Sequence, residues 1–142
     1  MAFFAAARQA RRDDAELGKG VWRRAHDRFR RGLDRYHQVL EGVDDDALYN
    51  DLAALANDLA ALLPRVRAVC REAHYRAPSE ELDIPGALIE VHRELSRAGN
   101  SLATTAEAAA MARLGVADPS TPRRRAQAVF DQVAACESLM RR

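Results

Sequence analysis

From Asp44 to Arg76 the apolar residues Leu48, Leu52, Leu55, Leu59, Leu62, Val66, Val69 and Ala73 recur at alternating steps of four and three. That spacing puts them on one side of a long helix, whose seam needs partner helices to cover it. Pro64 falls inside the run, yet the seam keeps its phase from Leu62 to Val66. A helix that stops and restarts does not usually keep phase, so the pattern predicts a kink at Pro64 rather than a break.

The flanking segments read as the partners. Gly18, Val21, Trp22, Ala25, Phe29, Gly32, Leu33, Tyr36, Val39, Leu40 and Val43 follow a helical period and predict a first helix over 17–43. Gly18 and Gly20 mark either a kink in it or its true start. Gly32, on the apolar face, leaves room for a neighbour to approach. Gly42 closes this helix, and Asp44 or Asp45 caps the next. The triplet Asp44-Asp45-Asp46 suits the positive end of a helix dipole and is not read as a cation site.

Pro78, Ser79 and Asp83 set off a linker over 77–84. A third helix follows from about Ile84 to Arg113, with Pro85 in its first turn and Leu88, Val91, Leu95, Ala98, Leu102, Thr105, Ala109 and Ala112 inward. The small residues of Ala98–Ala112 predict one closely packed neighbour. Gly115, Pro119 and Pro122 separate off a last helix from about Ser120 to Met140, with Ala126, Val129, Phe130, Val133, Cys136, Leu139 and Met140 inward.

The expected fold is therefore all-α. It is an up-down-up-down four-helix bundle over residues 17–142 with long first three helices, preceded by an N-terminal extension, residues 1–16. The fourth helix is the shortest, so the end holding the start of the first helix and the end of the second is thinly covered. Residues 1–16 or a second subunit would cover it. The extension lacks a clear apolar stripe but places Phe3 and Phe4 ahead of Arg8, Arg11 and Arg12. It reads as a locally packed start or as an amphipathic anchor.

Composition changes this picture little. A chain of 142 residues fits one domain, and its wealth of Ala, Leu, Arg and Glu favours helix. The net charge of +1 excludes a global field that would draw the chain to nucleic acid or a membrane. Locally the balance is uneven, with 10 basic and 6 acidic groups over 1–43 against 4 and 9 over 44–83. Lys19 is the only lysine, which fits the codon bias of a GC-rich genome. The 2 cysteines are too few for a disulfide scaffold. The apolar run over residues 2–7 is too short for a signal-peptide core, and nothing approaches the ~20 apolar residues of a membrane span, so a cytoplasmic protein is expected.

The candidate chemistry is thin. A di-iron bundle needs two Glu-x-x-His pairs, whereas the chain offers that spacing only at Asp34 and His37, and Glu72 and His74, like Glu90 and His92, are two apart and point differently. His26 and His37 flank the apolar face of the first helix too far apart to share an ion, and read as hydrogen-bonded, partly buried histidines. Cys70 and Cys136 lie on the second and fourth helices, diagonal in the expected bundle, and read as small buried hydrophobes. A Cys70 nucleophile served by His74 is conceivable, but no third orienting group accompanies it. Arg24, Arg28, Arg31 and Arg35 form a stripe beside the apolar face of the first helix. Arg123, Arg124 and Arg125 open the last helix, where they oppose its dipole. Triads, glycine-rich phosphate loops and CxxC pairs are absent from the sequence.

The stretches GKGVWRRAHDRFRRGLDRYHQVL and LDIPGALIEVHRELSRAGNSLATTAEAAAMAR resemble small Arg- and Ala-rich helical proteins of high-GC actinobacteria. The resemblance covers most of the chain and implies neither a substrate nor a site. The functional expectation is a non-enzymatic interaction or scaffold module without cofactor or metal, dimeric or bound to a protein partner. One alternative is a peripheral binder of anionic surfaces through Phe3, Phe4 and the arginine clusters. Another is a helical enzyme holding a small molecule or metal in its interior.

Overall fold

A computed structural model describes residues 2–142. These are helical, joined by turns and one longer linker: α1 (Ala2–Leu17), α2 (Val21–Glu41), α3 (Asp46–Ala60), α4 (Leu62–Arg76), α5 (Ile89–Arg113) and α6 (Thr121–Met140). A 3-10 turn, Gly86–Leu88, precedes α5. The third expected helix thus opens at Ile89, and Pro85 sits ahead of the 3-10 turn rather than in an α-helical first turn.

The seam from Leu48 to Ala73 is buried throughout. Each fully buried leucine or valine contributes about 1.5–3 kcal/mol relative to exposure, so this row anchors the core. Asp45 caps α3, its carboxylate accepting from the Leu48 N–H at 2.8 Å. The expected kink at Pro64 is corrected: the bend lies at Ala61, which separates α3 from α4. Pro64 has no N–H to offer the Ala60 carbonyl, and its ring crowds that same group, so the disturbance falls one turn upstream of the proline. Ala61 keeps right-handed helical angles (φ −64°, ψ −18°), which is why the seam stays in phase.

The expected order of neighbours is also corrected. The main contacts run α2 to α3 and α4, α2 to α5, α4 and α3 to α6, and α5 to α6. Arg28 meets Asn100 and Arg113 meets the Val39 carbonyl, so α2 and α5 lie side by side and run parallel. Arg123 meets Asp58 and Arg65 meets Glu137, so α6 runs parallel to α3 and α4. Two helical hairpins are laid over one another, and the linker between them crosses the bundle diagonally. That crossing explains why 77–88 is the longest connection. The small half of α5 packs as its composition demands, with Ala98, Gly99, Ala106, Ala109 and Ala112 buried. Leu102 of α5 sits over Gly32, where a Cβ would come within 2.8 Å of its Cδ2.

The expected first helix begins at Val21, so Gly18 and Gly20 belong to the junction between α1 and α2. Gly18 takes φ +72°, and the His74 ring fills the space a side chain would need there. The linker is tied to this junction. Trp22 Nε1–H donates to the Ala77 carbonyl at 2.8 Å, and the Val21 N–H donates to Ser79 Oγ at 3.0 Å. Ser79 thereby caps α2 from a distant point in the chain. Its own proton is shared between the carbonyls of Glu81 (3.2 Å) and Asp83 (3.3 Å). The bundle end expected to be thinly covered is closed by this linker and by the last turn of α1.

Ser79 is buried, so Ser79→Ala leaves the Val21 N–H without its partner. The expected loss is about 1–3 kcal/mol in urea unfolding, with unchanged helical content by circular dichroism.

Candidate functional site

Three features carry the polar chemistry of the molecule. The first is the clasp that holds α1. Asp13 is only 2% exposed although it sits on a peripheral helix. Its Oδ1 accepts from Arg67 NH1 at 2.8 Å and from Gln9 Nε2 at 2.8 Å. Arg67 also grips Glu16 Oε2 through Nε (3.1 Å) and NH2 (2.8 Å). Arg23 of α2 bonds Asp14 at 2.7 Å and Asp27 at 3.0 Å, with Asp13 at 3.8 Å. Asp27 in turn accepts from His26 Nδ1 at 3.0 Å.

These groups perturb one another. Burial works to raise the Asp13 carboxyl, but hydrogen bonds from Arg67 and Gln9 and the charges of Arg67 and Arg23 outweigh it and leave it below 3.8. Burial dominates at His26 and holds it below 6.5, against the bond and charge of Asp27, while Arg67 and Arg30 push the same way as burial. The clasp is a docking device that joins α1 to α2 and α4. Sequence reading missed it because its members lie far apart in the chain. One signal was available: Asp13, Asp14 and Glu16 close α1, where carboxylates oppose the helix dipole and so require cationic partners.

The second feature is the free end of α1. Ala2, Phe3, Phe4, Ala5 and Ala6 are exposed, as are Arg8, Arg11 and Arg12. The Phe3 and Phe4 rings pack edge to face on one another at 5.7 Å, and they remain 78% and 63% exposed. Docking is confined to the second half of the helix, because there the carboxylates and Leu17 turn inward.

The third feature is the arginine stripe of α2. Arg24, Arg28, Arg31 and Arg35 are all exposed. Arg28 donates to the side-chain oxygen of Asn100, and Arg24 and Arg28 border a groove of about 270 Å³ between α2 and α5. The Arg123, Arg124 and Arg125 cluster is not a single surface. Arg123 bridges to Asp58 at 2.7 Å, Arg124 donates to Thr121 Oγ1 at 3.0 Å, and Arg125 edges a shallow groove between α5 and α6. Phe3 and Phe4 lie on α1, so the sequence-predicted surface residues fall on three separate elements.

The cysteines correct another expectation. Cys70 on α4 and Cys136 on α6 stand on neighbouring rather than diagonal elements, both as free, buried thiols. Burial raises Cys70, with the Cys136 thiol adding to it, and burial pushes Cys136 up to about 12. Such thiols are poor nucleophiles at neutral pH. His74 faces the linker instead of Cys70: its Nδ1 accepts from the Ser79 N–H at 3.3 Å, and its Nε2 lies 3.6 Å from Glu80. His37 is exposed, with its Nδ1–H on the Leu33 carbonyl at 2.8 Å, whereas His26 is wholly buried. Buried Tyr36 donates to the Leu52 carbonyl at 2.8 Å, and burial raises its hydroxyl far above the usual range. Among the described residues, no three His, Cys, Asp or Glu side chains converge as a cation-holding group, and no helix is long and apolar enough to cross a membrane. Comparisons with protein-family models, with curated proteins and with solved structures give no match for this chain.

Two outcomes follow from the clasp. Arg67→Ala removes the nearest cation of the Asp13 carboxylate and leaves it only Gln9 and the more distant Arg23; the expected result is fast amide hydrogen exchange across 2–17, with a global loss of about 1–3 kcal/mol because Arg67 is itself partly solvated. The second outcome concerns pH. His26 has a lowered folded pKa, so its contribution is present above 6.5 and is lost as pH falls through 6.5 toward the folded value. Asp13 contributes above 3.8 and loses that contribution as pH falls through its lower folded value. Denaturant midpoints should hold steady between about pH 8 and pH 7 and decline below about 6.5, and His26→Gln should flatten the upper part of that decline. His92, lowered by burial in the same sense, accounts for the remainder.

Proposed function

We propose that this chain is a non-catalytic helical interaction module, that α1 is its contact arm, and that the partner is a second copy of the chain in the cytoplasm. The observation that carries the reading is the Phe3–Phe4 pair, standing in water on a helix whose other half is clasped to the body. Burying a phenylalanine contributes about 1.5–3 kcal/mol, so two rings presented on an exposed helical arm are natural anchors for an interface.

The choice of a second copy rests on complementarity within the chain. The arm is apolar and basic, with Arg8, Arg11 and Arg12 and no carboxylate before Asp13. At the far end of α2 and α5, the exposed triplet Asp44-Asp45-Asp46 shares an end of the molecule with exposed Leu114 and Val116; Arg113 joins the last turns of the two helices through the Val39 carbonyl. That end offers the arm an exposed apolar turn and a carboxylate triplet, with the arginines that open α6 standing at the same end. A twofold pairing satisfies both arms at once. Free, buried thiols at Cys70 and Cys136 fit a reducing compartment.

Light scattering and sedimentation velocity test the reading. The intact chain should be a dimer, and Phe3→Ala/Phe4→Ala a monomer with unchanged circular dichroism. A monomeric parent chain at every concentration would end it. One observation favours a second reading, a peripheral binder of anionic surfaces. Residues 2–12 bring two aromatic rings and three unopposed arginines together on one exposed helix, and the α2 stripe adds Arg31 and Arg35. Under that reading, co-sedimentation with phosphatidylserine vesicles should vanish in Phe3→Ala/Phe4→Ala and with zwitterionic vesicles.

A further inference from the structure

We infer that the groove between α2, α5 and residues 82–84 is a binding site for a small organic anion with an apolar body. The inference is independent of the α1 arm. The lower wall is apolar, formed by Val21, Ala25 and Leu95. Leu82 and Ile84 form the upper lip, and both are exposed.

The lip is held open by hydrogen bonds rather than by its own packing. Ser79 Oγ tethers the carbonyls of Glu81 and Asp83, one on each side of Leu82, and is itself fixed by the Val21 N–H. A lip fixed before the ligand arrives lowers the ordering cost of binding. Two large aliphatic side chains are thus kept exposed at the mouth of a groove floored by buried Val21 and Leu95.

The two fixed charges that line the groove are both positive. Arg24 and Arg28 stand one helical turn apart on the same wall. Among the described residues, neither forms an ion pair within 4.0 Å. Like charges at that spacing repel by about 0.2–0.5 kcal/mol, and a bound anion would relieve the repulsion. Arg28 is oriented by a neutral acceptor, the Asn100 side-chain oxygen, which leaves its charge uncompensated. From α5 come His92 and the Ser96 hydroxyl. The linker contributes no charge to the lining: Asp83 is not part of it, and Glu80 is engaged by the Lys19 N–H and His74.

Two guanidiniums at the rim of an aliphatic slot match an anionic head on a hydrocarbon body. The volume of about 270 Å³ falls just below the usual range of ligand sites, which begins at about 300 Å³, so the body is short.

The molecule contains its own reporter. Trp22 is the sole tryptophan, and its ring meets His92 edge to face at 5.9 Å and 69°. The test titrates the full chain with octanoate, octyl phosphate and octanol below their aggregation limits, by calorimetry and Trp22 fluorescence. Saturable binding of an anion with a change in Trp22 emission is expected, with octanol weaker by at least about tenfold. The tighter of the two anions identifies the head as carboxylate or phosphate. Arg24→Gln/Arg28→Gln should abolish the preference for anions over octanol, and Leu82→Ser/Ile84→Ser should weaken all three ligands. Phe3→Ala/Phe4→Ala should leave octanoate binding intact, which separates this site from the arm. Equal binding of octanol and the anions, silent Trp22 emission, or a preference that survives in Arg24→Gln/Arg28→Gln would overturn the proposal.

Discussion

The structure depends on a pair of hydrogen bonds at the root of α2, where the Trp22 indole and the Val21 amide hold Ala77 and Ser79 of the linker. Each is buried, so each must be satisfied inside the protein or the fold bears the desolvation cost. Their geometry leads the chain across the bundle end after α4 rather than back along an adjacent edge. Once the linker crosses there, α5 comes down beside α2 and α6 beside α4. The neighbour order of the whole helical assembly thus follows from where one loop is pinned. The same loop supplies Leu82 and Ile84 to the groove, so architecture and candidate binding surface share a cause.

The α1 helix illustrates a different balance. It lacks a continuous apolar stripe, and hydrophobic burial alone would leave it free. Its inner half is instead held by charges: Arg67 and Arg23 each reach two of its carboxylates. Partly buried networks of this kind are sensitive to the loss of any one member, because the remaining charges are left without solvent or partner. The outer half has no such hold, and its phenylalanines remain in water. A helix of 16 residues, about 24 Å long, is thereby divided into an anchored root and a projecting tip.

The arginine-rich composition, which the sequence suggests is a genomic habit, is resolved residue by residue in space. Arg67, Arg23, Arg65 and Arg123 are consumed in bridges between elements. Arg24 and Arg28 border the groove between α2 and α5 and, among the described residues, form no ion pair. Equivalent entries in a composition count therefore play unlike parts, and only proximity separates them.

Much of the fold was legible in one dimension. The four-and-three spacing from Leu48 to Ala73, the Asp45 cap, the Gly42 stop and the small face of α5 are local properties, set by helix periodicity and by backbone groups that need partners within a turn. The placement of Phe3 and Phe4 on an exposed tip was half legible, since aromatic residues without a periodic stripe have no obvious core to join. The bend at Ala61, the adjacency of α4 and α6, the clasp around Asp13 and the grouping of Arg24, Arg28, His92 and Leu82 were not. Each depends on side chains separated by tens of residues meeting at one point, and periodicity carries no information about which helix lies beside which. The amino-acid order by itself determined which face of each helix must be buried, because that is a matter of spacing along a single rod. Only the tertiary structure decided what each face is buried against, because that choice is made by packing and by a few buried hydrogen bonds acting across the whole chain.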